Sequence, residues 1–340
     1  MNLIIRGALG IGALVGTALG ARSILARRRL MDPVLPELRN PALLLPLHIG
    51  PAGLRLARAL ASIPGPVAAE IAVEQREVPG GPDHPSVDVL LYDNPTRPRP
   101  SGALLWLHGG GMVLGHPGMD NELCSRIADR ADVVVVSVDY RLAPEHPFPG
   151  ALEDCYRVLR WLHEHAEELG VDPARIAIGG NSAGAGLAAA LAQVALDRGE
   201  VPVRFQLLVY PMLDDRTVLR VDHAGTGDFV WSPRSNEFGW TSYLGHRPGE
   251  QEPPPYAAPA RRADLAGLPP AWIGVGDLDL FHAEDRAYAE RLRAAGVPCQ
   301  LDVVAGMYHA ADVIFSGRSA AMDTFRAGMV EALTTALHPS

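Results

Sequence analysis

The chain has 340 residues, 48% of them hydrophobic, enough for one large α/β domain, or one domain with an insertion. All 30 basic residues are arginine, which excludes a lysine Schiff base and a lysine-bearing phosphate loop. Net charge is −9, and the three cysteines are odd in number and far apart, fitting neither a disulfide framework nor a zinc site.

Charge is unevenly spread. Residues 1–30 carry Arg6, Arg22, Arg27, Arg28 and Arg29 and no acid, so the other 25 arginines face 39 acids. An acidic body argues against nucleic acid as a partner. Residues 7–21 form an uncharged run of Gly, Ala, Leu, Ile, Val and Thr, extended by Leu3–Ile5 across Arg6. A membrane-spanning helix needs roughly 20 residues, so the run is borderline. Three readings compete. An N-terminal anchor would hold the arginines at the cytoplasmic face, and Gly12, Gly16 and Gly20 suit close helix packing in a bilayer. A signal peptide would be cleaved near Ala21, but four arginines just beyond argue against export. A plain apolar helix could dock on the body. The expected location is therefore cytoplasmic, or membrane-associated on the cytoplasmic side through residues 1–30, rather than secreted.

Prolines punctuate residues 31–66, where Leu56, Leu60 and Ile63 recur at helical spacing. Strands are expected at Ala69–Val78, Val87–Tyr92, Ala103–Leu107 and the β-branched Val133–Val138. An amphipathic helix is expected at Leu152–Leu169. A buried strand follows at Ile176–Ile178, then a helix with Ala183, Leu187, Ala188, Leu191 and Ala192 on a 3.6-residue period. After the strand Phe205–Val209 the alternation breaks. Residues 212–270 are polar and Pro-rich, with Phe229, Trp231, Phe238, Trp240 and Tyr243 interspersed; they read as an inserted cap. Alternation resumes with strand Ala271–Val275, helix Ala283–Ala295, strand Gln300–Val304 and a helix from Ser319 to Leu337. Strands alternating with helices predict a mainly parallel central sheet flanked by helices.

The chemistry gathers at strand ends. Ser182 lies in Gly180-Asn181-Ser182-Ala183-Gly184, at a sharp turn from strand to helix. Such a turn exposes a serine hydroxyl above the sheet and aims backbone N–H groups at developing negative charge. His108-Gly109-Gly110-Gly111 directly follows another strand. Its bare backbone, with the N–H of Ala183, can form an oxyanion hole. A base must then come from the 12 histidines. His309 follows the last strand at the sheet edge that holds α/β active sites, with His282 as rival; His108 shapes the glycine loop. Asp277 and Asp279 both follow the strand Ala271–Val275, and either can be the acid. The apolar Met112, Val113 and Leu114 after the glycine loop, with Trp231 and Phe238 from the cap, predict a closed substrate pocket of limited depth. No His or Cys spacing indicates a metal site, and the chemistry requires no cofactor.

Together these stretches resemble the bacterial hormone-sensitive lipase family of α/β-hydrolase carboxylesterases. The matching segments are His108-Gly-Gly-Gly, Tyr140-Arg-Leu-Ala-Pro-Glu-His-Pro-Phe-Pro on through Asp154, Gly180-Asn-Ser-Ala-Gly, Asp279-Leu-Phe and Gly306-Met-Tyr-His, in the family's order. The resemblance covers roughly residues 70–335. It implies the α/β-hydrolase fold, with Ser182 as nucleophile, Asp279 as acid, His309 as base, and Gly109, Gly110 and Ala183 as oxyanion hole. It implies that residues 31–340 form the catalytic domain, with a helical cap from about 31–66 and 212–255, and that Tyr140–Pro147 is a structural loop beside the site. The departure is Asn181, where the family often has Asp or Thr; this leaves subfamily and acyl preference open. The implied activity is hydrolysis of short- to medium-chain carboxylic esters, a small-molecule substrate, through an acyl-enzyme. An amidase or acyl transferase would use the same triad. A non-catalytic receptor on this fold would lose the histidine, and His309 is present. Oligomeric state is left open.

Overall fold

The computed structural model describes residues 27–45, 48–81 and 84–338. The apolar run of residues 7–21 lies outside them. Arg27 already belongs to the folded body: its guanidinium donates to the carbonyls of Leu43 (3.0 Å) and Asp228 (2.9 Å).

Eight strands form one sheet: β1 (Ala72–Val78), β2 (Val87–Asp93), β3 (Ser101–Leu107), β4 (Val134–Val138), β5 (Val171–Asn181), β6 (Phe205–Val209), β7 (Ala271–Gly276) and β8 (Cys299–Val304). Their order is β1-β2-β4-β3-β5-β6-β7-β8. β2 pairs antiparallel with β1 and with β4, and the other neighbours are parallel. The mainly parallel expectation thus holds from β4 to β8, with an antiparallel hairpin added at one edge. β1 is that edge, and its exposed Glu74, Gln75 and Glu77 discourage pairing with another chain.

Every residue of β3, β4, β6 and β7 is buried, as expected of parallel strands covered on both faces. Alternation sends Leu105 and Leu107 into one apolar cluster and Leu104 and Trp106 into the other. On the first face lie α3 (Gly150–Glu164) and α4 (Ala183–Arg198); on the second lie α2 (Asn121–Arg130) and the last helix, α8 (Ala320–Leu337). α4 is apolar almost all round and buried from Ala183 to Ala195, as its alanine and leucine content demands.

One unexpected helix and two shifted boundaries stand out against the sequence expectation. α2 is not announced by the sequence, because its stripe of Leu123, Cys124, Ile127 and Ala128 is short and interrupted by charge. α3 stops at Glu164, where the Trp161 carbonyl accepts from both the backbone N–H and the ring of His165. β5 starts at Val171, five residues before its apolar core, because Val171 pairs with Ser101 ahead of an irregularity in the ladder.

Chain order reverses at β3, which has β4 on one side and β5 on the other. Such a switch point opens a crevice at the C-terminal ends of the strands. Two further segments approach it. Residues 48–66 contain α1 (Leu54–Ala61), and residues 212–255 contain α5 (Pro233–Leu244). They are joined where Ile49 N–H donates to Ser235 Oγ at 2.8 Å.

Candidate active site

β5 ends at Asn181, and α4 begins at Ala183, leaving Ser182 alone in the corner. Its φ of 55° and ψ of −120° are strained for a residue with a Cβ. The strain is held by packing: Ser182 N–H donates to Val209 O (2.9 Å), and its carbonyl accepts from Gly186 and Met212. A Cβ at Gly180 or Gly184 would overlap the carbonyl of Leu107, so only glycine lets the end of β3 approach the corner this closely.

His309 comes from the loop after β8. Its Nε2 lies 2.9 Å from Ser182 Oγ, and its Nδ1 lies 2.8 Å from Asp279 Oδ2. An ionised carboxylate only accepts, so Nδ1 carries the ring proton and Nε2 is free to accept from the serine hydroxyl. Asp279 is fully buried, and its other oxygen accepts from Phe281 N–H at 2.9 Å. Asp277 points elsewhere, accepting from Gly306 N–H at 2.7 Å. The rival His282 opens α6 (His282–Ala294) and makes no hydrogen bond to Ser182 among the described residues. The His309 loop, which runs into the single turn α7 (Ala311–Ile314), is braced from outside. Gly306 O accepts from Leu35 N–H (3.0 Å), and Tyr308 Oη donates to Leu38 O (3.2 Å).

The glycine loop faces Ser182 from the end of β3. Among the described residues, no acceptor takes the N–H of Gly109 or Gly110. Ala183 N–H opens α4 and has no intrahelical partner. His108 is fully buried and stacks on Tyr140 at 4.2 Å, with its Nδ1 2.8 Å from the Gly109 carbonyl. Burial pushes its pKa down to about 4, so it is neutral and shapes the loop. Tyr140 Oη donates to His108 O (2.6 Å), and Arg141 grips Asp154 with two hydrogen bonds of 2.8 Å. This loop therefore supports the site without touching Ser182.

The expected pocket residues are dispersed. Trp231 is buried with its ring 6.3 Å from that of His309, and a Cβ at Gly111 would overlap the indole. Met112 and Val113 are buried in the core, with Val113 O accepting from Arg58 (2.8 Å). Phe238 instead lines an outer hollow of about 260 Å³ with His48–Gly53 and Arg234, whose walls include neither Ser182, His309 nor the glycine loop. Sequence reasoning gives two further close neighbours no role in the site, although Phe281 closes the Asp279-Leu-Phe segment. The rings of Tyr210 and Phe281 lie edge-on to His309, at 4.8 and 5.4 Å. Tyr210 directly follows β6, and that placement at a strand end is the signal that could have found it.

The arrangement suits acyl transfer through a serine: a hydroxyl, a histidine hydrogen-bonded to a buried carboxylate, and a neighbouring glycine loop whose first two N–H groups have no acceptor among the described residues. A family model described as the alpha/beta hydrolase fold matches residues 104–312. The chain is 35% identical over 288 residues to the carboxylesterase NlhH of Mycobacterium tuberculosis, covering 82% of this chain and 88% of the relative. Among solved structures, a bacterial heroin esterase superposes with a TM-score of 0.83 at 34% identity, covering 91% of this chain and 99% of that one. An esterase of the bacterial hormone-sensitive lipase family superposes with a TM-score of 0.71 at 29% identity, covering 95% and 99%. The chain belongs to the bacterial hormone-sensitive-lipase-like branch of the α/β-hydrolase fold and is a carboxylic ester hydrolase.

Proposed function

We propose that Ser182 is the nucleophile, His309 the general base and Asp279 the acid that orients it. Ser182 Oγ attacks the ester carbonyl while His309 Nε2 takes its proton. The oxyanion sits against the N–H groups of Gly109, Gly110 and Ala183. His309 returns the proton to the leaving alkoxide, and water then hydrolyses the acyl-enzyme by the same route. No step requires a cofactor. The unbroken Ser182–His309–Asp279 chain of hydrogen bonds carries this reading. The test is a panel of p-nitrophenyl esters of increasing acyl length. Ser182→Ala should lower kcat by about 10⁴-fold or more with the fold intact; near-normal turnover would refute the assignment.

The substrate class in this reading rests on Trp231, which stands 6.3 Å from the His309 ring and bounds a shallow acyl site, with residues 31–66 and 212–255 as its cap. Acyl chains below about ten carbons are the expected substrates, given typical pocket volumes. Rates that rise steadily to palmitoyl esters would refute this.

Residues 1–26 supply a membrane attachment in this reading, on the strength of their apolar run and the arginines that follow. The described residues contain no helix long and apolar enough to cross a bilayer. Full-length protein should stay in the membrane fraction through a wash at about 1 M salt, which screens charge but not apolar burial. Deleting residues 1–26 should release active enzyme. A fully soluble full-length chain would refute the attachment.

A further inference from the structure

Asp120 is buried at the start of α2, only 4% exposed, and the acyl-transfer scheme gives it no part. Its two oxygens are nevertheless divided between the two strands that build the site. Oδ2 accepts from Trp106 Nε1 at 2.8 Å, and Oδ1 accepts from Asn181 Nδ2 at 3.4 Å. Trp106 lies near the end of β3, just ahead of the glycine loop. Asn181 is the last residue of β5, just ahead of Ser182. The strands pair side by side up to Leu107 and Gly180, and beyond that point no ladder holds them together. The carboxylate spans the gap.

Asn181 also reaches the oxyanion side. Its Oδ1 is buried with no partner among the described residues, and a Cβ at Gly109 would lie 2.9 Å from it. The Asn181 side chain is therefore wedged between Asp120 and Gly109. Only a donor at 181 suits this place. An aspartate there would set carboxylate against carboxylate in a buried site. This accounts for the absence of aspartate, one of the two residues the resemblance leads one to expect there. Burial pushes the Asp120 pKa up to about 6, against the pull of the Trp106 and Asn181 hydrogen bonds and of Arg326, with Asp312 adding to the rise. Above that value Asp120 is an acceptor on both oxygens.

We propose that Asp120 is a positioning residue that sets the spacing between the Gly109–Gly110 N–H groups and the Ser182 hydroxyl, acting through Trp106 and Asn181. This rests on Ser182 being the nucleophile. The experiment measures kcat and KM of the full chain on p-nitrophenyl butyrate at pH 8 for Asn181→Asp, Asp120→Asn and the double exchange. Asn181→Asp should lower kcat by about ten- to a hundredfold with KM within about twofold, the signature of misplaced reacting groups. Asp120→Asn should cost less. In the double exchange the amide placed at position 120 can accept from Trp106 through its oxygen and donate to the carboxylate placed at position 181. There kcat should recover to within about threefold of the parent. With kcat taken per phosphonate-titrated site, a merely structural role would lower the fraction of sites titrated and leave kcat per site unchanged. A double variant no better than the worse single variant, or a loss confined to KM, would overturn the proposal. Should Asn181→Asp fail to fold, Trp106→Phe removes one donor from Asp120, and an unchanged kcat there would overturn it equally. Stoichiometric labelling of the parent at Ser182 by a p-nitrophenyl phosphonate is the control; an active parent that escapes labelling refutes the nucleophile assignment itself, and the proposal with it.

Discussion

Asp277 and Asp279 leave the same strand two residues apart, yet their carboxylates meet different partners. Asp279 lies 2.8 Å from the ring nitrogen of His309, whereas Asp277 accepts a backbone N–H from Gly306. Asparagine at 279 would present an amide to that nitrogen and favour the wrong tautomer. Asp279→Asn should therefore lower kcat by about 10⁴-fold. Asparagine at 277 can still accept from Gly306, so Asp277→Asn should retain activity within about tenfold, the scale of one weakened hydrogen bond. Steady-state kinetics on one ester would decide it, and a greater loss at 277 would reverse the assignment. Spacing alone left the two open, because both follow the same strand, and only the resemblance carried by Asp279-Leu-Phe picked out Asp279. The choice comes from the turn after β7, which buries one and directs the other into the His309 loop.

At the scale of elements, the site is closed by segments from distant parts of the chain. Residues 31–45 brace the His309 loop through Leu35 and Leu38, while residues 212–255 bring Trp231 against Gly111. Trp231 has little freedom: its Nε1 donates to Asn236 Oδ1 at 3.3 Å, on α5. Its truncation should open the space beside the glycine loop. Trp231→Ala is expected to shift the best p-nitrophenyl ester to acyl chains longer by about two to four carbons, by analogy with cavity-forming substitutions. An unchanged chain-length profile would show that the indole does not bound the acyl site. The aromatic content of residues 212–270 is plain in the sequence. Which aromatic faces His309 is not, since Phe238 and Trp231 sit in similar company and only packing separates them.

The whole molecule carries an alkaline liability at α6. Glu284 is buried and accepts from Leu213 N–H (2.7 Å), Asp214 N–H (3.2 Å) and the Thr217 hydroxyl. Burial pushes its pKa up to about 8, helped by nearby Asp214 and opposed by those hydrogen bonds. An unfolded glutamate titrates near about 4.3. Between about 4.3 and 8 the folded chain thus binds more protons than the unfolded chain, and this group's contribution to stability falls as pH rises through that window. Asp285, buried beside it with neither oxygen hydrogen-bonded among the described residues, is pushed up by burial as well and acts in the same direction. Glu284→Gln resembles the protonated acid and removes one titration. The variant's Tm should drop less than the parent's between about pH 6 and pH 9, by several degrees on the scale of about 2–4 °C per kcal/mol for a chain of this class. An equal or larger drop would show that Glu284 is not the group responsible.

The order of strands and helices, the serine corner, the glycine loop and the types of residue available as base and acid were determined by the sequence itself. Each is written in a few adjacent residues, as periodicity, glycine at a close approach, or a polar residue just past a strand. Tertiary structure decided which of these meet. Ser182 and His309 stand 127 residues apart, and Asp279 lies 30 from His309, so their contacts depend on strand order and loop bracing rather than on any local pattern. The same holds for the antiparallel edge hairpin, for the separation of Trp231 from Phe238, and for Asp120. Its link to Asn181 crosses 61 residues and becomes visible only once β3 and β5 lie side by side. Local geometry follows from backbone preference and apolar spacing; proximity across the chain follows from burying two faces of one sheet, and that is settled only when the whole core packs.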